Sequence, residues 1–578
     1  MSDRLRLFFV LAVFAGLSAS YAFLVPMFEG PDEDSNLEYL RFIELEGRLA
    51  QPSATVTPEL ESLERGILPP LWFLATRPFY RALGADAWSP TPVLNPEFLR
   101  HPSYLLEAAE AGMDTDAVLA APNGRLHFLH GLDEAVPRSV AVRQLILLRL
   151  TAIPWALLAL FLVYLALVRV LGAAERALWY TAFLAFTPQL QFLSANINMD
   201  SMLAAAGALF FFAAVAWRGT EFGSQRLPFA ALAGLGVGLA AEIKLNGLVL
   251  VVPLFLAAWP SLVARRWREP ALAALVLLLT LAPFYLWGFL ESGHALWIWN
   301  YQNISPLHHP AGQAPAEWNL RGIWNYNLVL FLTWFADIGW TSVWYGPWIS
   351  YPVMGLFGVG AAVGLARSLR AGRASLAWFF TVSALVILSA ELWFNLRFSQ
   401  PQGRHLYPFL SVVTFPVCLG LERLRLLKSA VLLFLALSVF AFPELVGRLR
   451  PPGWNQHAWV AVTDVGREPL GTAAPPLAWA PGVVTESGPD LAWETRPEHD
   501  YELQMAVGNP RFEDRPWAPG GLLLRSSVAF GVPLGGAARI PADFWAALPV
   551  GERLYFQVLE LDAGGQLSGR SDVLERQR

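Results

Sequence analysis

The chain has little charge and almost no cysteine. Of its 578 residues, 15% are charged and 55% are hydrophobic, whereas soluble proteins carry about 25% charged residues. This composition excludes an ordinary water-soluble enzyme and predicts long apolar membrane spans. Because Cys418 is the only cysteine, no intramolecular disulfide and no cysteine-based metal cluster can form within one chain. The formal charge of -5 provides no basic excess, so no nucleic-acid partner is expected.

Lysine and the common catalytic motifs are also nearly absent. Lys244 and Lys428 are the only lysines, and the abundance of arginine suggests a GC-rich bacterial genome. The sequence contains no GxSxG, Walker, Rossmann or zincin motif. Its loop histidines lack a metal-ligand spacing. The sequence therefore assigns no cofactor, and it leaves open whether a divalent metal ion binds.

Long apolar runs predict eleven membrane spans. The first run, Leu7 to Phe28, follows Arg4 and Arg6 and is too long for the core of a signal peptide, so it is interpreted as an uncleaved span. The other ten runs lie at roughly 145–168, 177–195, 200–217, 229–243, 246–263, 271–290, 350–366, 375–393, 406–421 and 429–446.

Basic residues predict the orientation of these spans. Loops on the cytoplasmic side of a membrane carry the excess of Lys and Arg, and six groups fall on one side of the proposed arrangement: Arg4 and Arg6; Arg169 and Arg176; Arg218 and Arg226; Arg265, Arg266 and Arg268; Arg367, Arg370 and Arg373; Arg423, Arg425 and Lys428. This agreement requires that Val329 to Trp348 not cross the membrane. We therefore expect a multi-pass protein of the bacterial plasma (inner) membrane, with its N-terminus in the cytoplasm.

Most of the polar mass is predicted outside the membrane on one face. Residues 1–446 are expected to form a mainly α, polytopic helical bundle with two long outer loops, 29–144 and 291–349. Residues 447–578 show alternating runs separated by Gly, Pro and Asp turns, which predicts an extracytoplasmic β-sandwich-like domain. A protein with its extra mass on one face is expected to work there.

A cluster of acids directly follows the first span. In the segment FEGPDEDSNLEYL, Glu29, Asp32, Glu33 and Asp34 crowd a Gly-Pro turn. Carboxylates that close repel one another, which predicts a raised pKa and a proton-accepting role. The alternative is a solvated cluster that caps a helix opening near Ser35. Spacing alone does not separate the two.

Two further polar positions interrupt the apolar spans. Asn198 and Asp200, in the segment NINMD, lie between two spans and indicate either a site or a solvated turn. Lys244, in EIKLNG, is a charge at the rim of a span, which marks a functional site by default. Snorkelling of Lys244, or pairing with Glu242, is the alternative.

An arginine on the predicted outer face indicates an anion site. In FSQPQGRHLYPFL, Arg404 lies between Gln402 and His405 at the outward end of a span, against the positive-inside bias. A phosphate would explain its position. An ion pair with Glu391 or with an early carboxylate would explain it as well.

Taken together, these segments resemble the GT-C superfamily of integral-membrane glycosyltransferases, in particular a bacterial multi-pass family within it. The matching pieces are spread over the helical part of the chain in the right order: PDED, ILPPLWF opening a surface helix, NMD, FADIGWTSVWYGPW with Asp337 and Trp340, and QGRHLYPFL. In that superfamily a first-loop Asp, often in a DE pair, is the catalytic base, and the pair falls here on Asp32 and Glu33. Relatives often carry a His shortly after the pair, where this chain has Asn36.

The resemblance implies transfer of a sugar from a polyprenyl-phosphate-linked donor to a hydroxyl of a saccharide, lipid or protein acceptor in the cell envelope, with inversion. Asp32 or Glu33 would be the base, Lys244 and Arg404 would bind the donor phosphate, and Asp34, Asn198, Asp200, Asp337, Trp340, Gln402 and His405 would line the site. Membrane lipids are the other expected partners. The alternatives are a lipid-linked saccharide transporter or polymer export component, and an outer-surface scaffold. Many spans are excessive for anchoring, and acids concentrated on one face disfavour transport.

Overall fold

The computed structural model describes most of the helical part of the chain and a set of strands near its end. The described residues are 2–55, 57, 59–60, 63, 65–84, 127–128, 140–219, 223–294, 298, 320–338, 343–345, 347–372, 375–395, 402–441 and the strands between 477 and 577.

The described helices are, in chain order, α1 (Asp3–Leu24), α2 (Glu33–Glu46), α3 (Leu71–Ala82), α4 (Val140–Leu150), α5 (Ile153–Leu171), α6 (Ala174–Ala185), α7 (Pro188–Leu193), α8 (Asp200–Gly219), α9 (Gly223–Ile243), α10 (Val251–Val263), α11 (Arg268–Ser292), α12 (Leu320–Phe335), α13 (Pro347–Arg370), α14 (Leu376–Asn395), α15 (Leu410–Val413), α16 (Phe415–Arg423) and α17 (Leu427–Ala436). Two 3₁₀ helices, Leu245–Leu250 and Gly403–Phe409, and a π turn, Leu437–Ala441, complete the helical elements among the described residues.

The protein is a multi-pass membrane protein. In the described part of the chain, 8 helices are long and apolar enough to cross a membrane, or up to 9 if one bent pair counts as a span. The first of them, α1, ends at Leu24, four residues before the predicted end at Phe28. Phe28 instead belongs to the turn that carries the acids, where its backbone is left-handed at φ 63.

Three of the predicted runs are not single straight helices of spanning length. The run 177–195 breaks between α6 and α7, because Pro188 has no amide hydrogen to continue the helix. The run 406–421 bends by 56° between the segments Gly403–Val413 and Phe415–Arg423, which contain Pro408 and Pro416. The run 429–446 contains only a shorter apolar helix among its described residues. The count of eleven spans stays a prediction.

Glycines let several helices approach one another closely. A Cβ on Gly207 of α8 would lie 1.9 Å from the Pro408 carbonyl oxygen, so this glycine permits the contact of α8 with the segment after Arg404. Gly360 of α13 and Gly420 of α16 face each other in the same way, since a Cβ on Gly420 would lie 1.8 Å from the Gly360 carbonyl oxygen. Small residues at such contacts are typical of helix packing in membranes.

The helix predicted from ILPPLWF is present as α3, which begins directly after Pro70. Trp72, Phe73 and Tyr80 are buried, whereas Phe79 is exposed. The Phe73 ring packs edge-on against Tyr39 of α2, with 4.7 Å between ring centroids. Most of its aromatic face therefore packs on the protein.

The chain divides into two compact units. One comprises Met1–Leu83, Leu99–Arg125 and Gln144–Arg450, and the other comprises Gly84–Phe98, Leu126–Arg143 and Pro451–Arg578. The first unit carries a two-stranded antiparallel ribbon, β1 (Asp337–Ile338) with β2 (Val343–Trp344). The division at residues 446 and 447, and the predicted roles of the two domains, stay predictions.

The second unit contains two antiparallel sheets. Strands β10, β8, β5 and β6 pair in that order, with β9 also on β8, and strands β3, β4 and β7 form the other sheet. Their bounds are β3 Leu477–Trp479, β4 Asp490–Trp493, β5 Asp500–Val507, β6 Leu523–Ser526, β7 Gly536–Arg539, β8 Arg553–Leu561, β9 Leu567–Arg570 and β10 Leu574–Gln577. Strands are thus present within 447–578, the segment in which the alternating pattern predicted them. The β-sandwich stays a prediction.

Candidate active site

The acidic turn brings Asp32 to the start of α2 in a strained backbone conformation. Asp32 is the N-cap residue of α2, with φ 63 and ψ 14 in the left-handed region, and its side chain makes no capping hydrogen bond. Asp tolerates this region better than most residues, yet such strain is concentrated at functional sites. The helix starts at Glu33, earlier than the expected Ser35. The side chain of Asp32 is therefore not a helix cap.

The Asp32 carboxylate lies between two arginines. Its Oδ1 is 2.8 Å from Nη2 of Arg65, and its Oδ2 is 2.8 Å from Nη1 of Arg404. All three side chains keep a small exposed fraction, 16% for Asp32, 15% for Arg65 and 14% for Arg404. The cluster is thus largely buried but still partly accessible.

The charges around Asp32 set its pKa. Burial by itself would raise the pKa of the Asp32 carboxyl, but the charge of Arg404, followed by those of Arg65 and Lys244, outweighs burial and holds this pKa well below its usual range. The prediction that neighbouring acids raise it is wrong. The physical reason is that the nearest acid in sequence, Glu33, is neutralised by its own arginine, while three cations act on Asp32.

Glu33 forms a buried ion pair with Arg149. Both of its carboxylate oxygens accept hydrogen bonds from Arg149, at 2.8 Å from Nε and 2.6 Å from Nη2, and the side chains of Arg149 and Glu33 are 1% and 0% exposed. The backbone amide of Ile197 donates a further bond to Glu33. The remaining donors of Arg149 bind carbonyl oxygens at the end of the first span, those of Ala22, Val25 and Pro26. The pair of Glu33 and Arg149 therefore joins the start of α2, the end of the first span, α4 and the loop before α8.

The acidic turn fits against the polar loop between α7 and α8. Gly30 has no room for a side chain, since a Cβ there would lie 2.5 Å from Oδ1 of Asn196 and 2.6 Å from Cδ of Glu33. Asn36, where relatives often carry a His, donates from Nδ2 to the Ile197 carbonyl at 2.9 Å. Asp34 lies half-buried in the first turn of α2. The NMD loop is therefore a buried wall of the site and not a solvated turn.

Lys244 meets Asp200 and not Glu242. Its Nζ lies 3.2 Å from Oδ1 of Asp200, which is buried. Asn198 holds the start of α8 by accepting from the Asp200 amide and donating to the Leu193 carbonyl. Because Lys244 also lowers the pKa of Asp32, it contributes to the positive potential of the same site. Its predicted role in binding a phosphate stays a prediction.

Arg404 is held in place by its own segment. Its Nε donates to Oε1 of Gln402 at 2.6 Å, and the amide of Gly403 donates to Oγ1 of Thr333 in α12 at 2.7 Å. His405 turns to Glu391, with Nδ1 3.3 Å from Oε1. The early carboxylate considered as an alternative partner of Arg404 is thus Asp32, whereas Glu391 pairs with His405.

For two predicted lining residues, the side chain lies outside what the structure describes. Asp337 lies on strand β1, and its backbone pairs with that of Trp344. Trp340 lies outside the described residues. Among the side chains described, no three His, Cys, Asp or Glu residues come together as a metal site.

Arg65 and Arg149 are the residues that sequence reasoning missed. Arg65 precedes ILPPLWF in a predicted outer loop, so the argument from the positive-inside bias that singled out Arg404 applies to it equally. Arg149 interrupts an apolar segment, Val142–Leu171, and the rule for charges within spans that singled out Lys244 would have found it. Both signals were present in the sequence.

Part of the chain matches a known enzyme family. The model of the dolichyl-phosphate-mannose-protein mannosyltransferase family matches residues 103–298, a segment that contains Asp200 and Lys244 but neither Asp32 nor Arg404. No curated protein matches the chain. The family match confirms the predicted resemblance to GT-C glycosyltransferases.

Solved structures of two membrane transferases are among those similar to the chain. One is ArnT from Cupriavidus metallidurans bound to undecaprenyl phosphate, with a TM-score of 0.45 and 15% identity; the match covers 73% of this chain and 61% of that chain. The same protein in the apo state gives a TM-score of 0.43 and 14% identity, and the match covers 72% of this chain and 59% of that chain. The other is the Archaeoglobus fulgidus oligosaccharyltransferase in complex with Zn and sulfate, with a TM-score of 0.33 and 15% identity, over 76% and 53%. The chain thus spans about three-fifths of the length of ArnT.

Proposed function

We propose that this protein is a membrane glycosyltransferase that moves a sugar from a polyprenyl-phosphate-linked donor to an acceptor hydroxyl, with inversion at the anomeric carbon. Asp32 is the catalytic base in this proposal, and Arg404, Arg65 and Lys244 bind the donor phosphate. The acceptor is a saccharide, a lipid or a protein of the cell envelope. The observation that carries the proposal is the Asp32 carboxylate held at 2.8 Å by each of two partly accessible arginines.

The choice of Asp32 over Glu33 follows from their surroundings. Glu33 is fully buried and both of its oxygens are occupied by Arg149, so an acceptor hydroxyl has no route to it. Asp32 keeps a small exposed fraction, makes no capping bond and has a strained backbone. A base must come within hydrogen-bond reach of the proton that it removes, and only Asp32 of the two can do so.

The reaction is a single displacement. The acceptor oxygen attacks the anomeric carbon of the donor sugar while the bond from that carbon to the phosphate oxygen breaks. The hydroxyl proton passes to an Asp32 carboxylate oxygen, and the bonding electrons leave with the polyprenyl phosphate. Because phosphate is a good leaving group, cationic stabilisation of its developing charge replaces a strong general acid.

The two arginines have a second partner in this mechanism. Without donor they hold Asp32, and a bound phosphate would attract the same guanidinium groups, since Arg binds phosphate with a bidentate fork. Drawing Arg404 and Arg65 toward phosphate removes the charges that depress the pKa of Asp32. Donor binding would thereby make the carboxylate more basic at the moment when a base is needed.

The proposal also assigns a side to the reaction. If the basic clusters lie in the cytoplasm, Asp32, at the far end of the first span from Arg4 and Arg6, works on the extracytoplasmic face of the bacterial inner membrane, where residues 447–578 also lie. Reporter fusions at Gly372 and Gly453 should then give cytoplasmic and outer signals respectively. The same side for both would contradict this orientation.

The activity is tested by sugar transfer with purified protein and a polyprenyl-phosphate sugar. Asp32→Asn removes the base but keeps the size and the backbone preference of the side chain, so turnover should fall by about 10²–10⁴-fold. The matched control is Glu59→Gln, because Glu59 also forms a short pair with an arginine, Arg48 at 2.7 Å, but outside the site. That variant should keep full turnover.

Each outcome separates a different mechanism. If Glu33→Gln abolishes transfer and Asp32→Asn does not, with both variants folded, the base is Glu33. If Asp32→Asn and Glu33→Gln both keep full activity, the carboxylate mechanism is wrong. Movement of intact donor across vesicle membranes without transfer would instead identify a lipid-linked saccharide transporter.

A further inference from the structure

A charged cavity lies in the helical unit and shares none of its lining residues with the Asp32 cluster. It is formed where α6 begins and where α16 turns into α17. From Glu175 the chain runs through α6 and α7 to Asn196, which packs against Gly30 of the acidic turn. A helix rises about 1.5 Å per residue, so this path can cover up to about 30 Å, the thickness of the hydrocarbon core of a membrane.

The cavity combines three cations with an aromatic ring. Its volume is about 340 Å³, and the lining side chains that carry charge or rings are Glu175, Arg176, Trp179, Glu422, Arg425 and Lys428. Nζ of Lys428 lies 5.0 Å from the centre of the Trp179 ring, within range of a cation–π contact. The volume falls within the range of small-molecule sites.

The carboxylates of this cavity do not use up its positive charge. Glu422 is satisfied by Nε and Nη2 of Arg176, at 2.5 Å and 2.7 Å, and by the hydroxyl of Tyr180 at 3.0 Å. Glu175 meets Lys428 at 3.3 Å, with side chains 57% and 63% exposed, and such exposed pairs are weak. Within the described part of the chain, no ion pair engages the guanidinium of Arg425.

Arg425 lies exposed in a turn between two helices. Arg425 has a left-handed backbone, with φ 61, between the end of α16 and the start of α17, and its amide donates to the Glu422 carbonyl at 3.0 Å. The residues on either side, Leu424 and Leu426, are 39% and 40% exposed. The Arg425 cation is therefore flanked by partly exposed apolar side chains, which the acyl chains of a lipid could cover.

We propose that this cavity binds the phosphate group of an anionic phospholipid from the leaflet next to it. Basic pockets between membrane helices bind such headgroups, and each cation near an anionic lipid surface strengthens the binding. Arg425 and Lys428 contact the phosphate, Trp179 lies at the headgroup layer as tryptophans do, and Leu424 and Leu426 face the acyl chains. The exposed leucines favour a lipid over a free phosphate ion. The site is separate from the transfer chemistry at Asp32.

The proposal is tested with the full-length protein in detergent, by native mass spectrometry during titration with phosphatidylglycerol or with phosphatidylcholine of the same acyl length. The double variant Arg425→Gln with Lys428→Gln should lose affinity for phosphatidylglycerol by about thirtyfold and keep that for phosphatidylcholine. The matched control is Arg265→Gln with Arg266→Gln, which removes the same charge from another exposed turn, where Arg265 also has a left-handed backbone. The control should retain the preference for phosphatidylglycerol.

Three results would overturn the proposal. Equal losses of phosphatidylglycerol affinity in the double variant and the control would mean that general surface charge, and not this cavity, attracts the lipid. Equal binding of both lipids to the unaltered protein would mean that the cavity does not distinguish the headgroup charge. Displacement of the lipid by inorganic phosphate at equal concentration would identify a site for soluble anions. Should the double variant fail to fold, Arg425→Gln alone, in an exposed turn, should still weaken phosphatidylglycerol binding by about fivefold.

Discussion

Asp32 and Glu33 are adjacent in the chain, and each is paired with arginine, yet their surroundings are opposite. Glu33 is fully buried and held by both arms of one arginine, Arg149, which also binds three backbone carbonyls. Asp32 is partly accessible and shared between two arginines, Arg65 and Arg404, each at one oxygen. A carboxylate whose every hydrogen bond is satisfied by the fold has a structural role.

The pairing geometry therefore separates the two acids more clearly than the motif does, and it is the ground for proposing Asp32 and not Glu33 as the base. Both residues belong to the PDED turn, and by residue type either carboxylate could act as a base. The difference arises because α2 starts at Glu33 and points that side chain inward, whereas the left-handed residue before it is directed toward Arg65 and Arg404.

Breaking the inner pair should have the largest effect on stability. Arg149→Met leaves the Glu33 charge buried without a partner, which costs about 3–5 kcal/mol, and it should sharply lower the melting temperature in detergent. The double variant Glu33→Leu with Arg149→Met should be less destabilised than the sum of the two single variants, because no charge is left buried. A melting temperature of Arg149→Met equal to that of Asp32→Asn would erase the distinction between the two acids.

Arg404 should matter for the donor and little for the fold. Arg404→Ala should weaken donor binding by about 10–100-fold, since hydrogen bonds to charged groups contribute about 1.5–3 kcal/mol. Arg404→Lys should rescue only part of this affinity because the bidentate fork is lost. Arg48→Ala is the control, as Arg48 is 48% exposed and pairs with Glu59 away from the site. Unchanged donor affinity in Arg404→Ala would remove this residue from the site.

The arginines around Asp32 predict a specific pH dependence of the reaction. In the free enzyme the pKa of Asp32 is depressed, so its carboxylate stays ionised until the pH falls well below the usual Asp value of about 3.9. The acidic limb of kcat/KM should therefore lie below that value. Donor phosphate compensates the arginines and raises the pKa of Asp32, so the acidic limb of kcat should lie at higher pH. Coincident limbs would show that donor does not displace the arginines from Asp32.

The same depressed pKa has a consequence for stability. A carboxyl group with a lower pKa in the folded than in the unfolded state stabilises the fold above the unfolded pKa, and this stabilisation is lost as the pH falls through the folded value. For Asp32 that loss belongs to strongly acidic conditions only. Near neutral pH the Asp32 cluster contributes its full stabilisation.

The sequence predicted the members of the site better than their partners. Asp32, Lys244 and Arg404 were selected as candidates because a charge next to an apolar run can be recognised in the sequence, and the structure brings Asp32 and Arg404 into contact. Which acid meets which cation depends on contacts between distant segments, and these joined Lys244 to Asp200 and Arg404 to Asp32. The expectation of a raised pKa for Asp32 was wrong for the same reason, since the cations that depress this pKa lie far from it in sequence.

The helices were predicted better than their interruptions. Apolar length marked the spans, and ILPPLWF marked the start of α3. The breaks near Pro188 and between Val413 and Phe415 depend on how prolines and their neighbours are packed, which composition does not reveal. The six basic clusters predict on which side of the membrane each loop lies. That prediction does not require each of the eleven runs to be one straight helix.

The left-handed backbone of Asp32 restricts which amino acids this position tolerates. At φ 63 Gly is unstrained, and Asp and Asn are strained less than other residues, whereas a longer or branched side chain adds a further conformational cost to any change in chemistry. Glutamate is thus a poorer replacement here than its charge suggests. Among the residues that this backbone readily admits, aspartate alone carries a negative charge, so the conformation of the main chain and the chemistry of the side chain select the same residue.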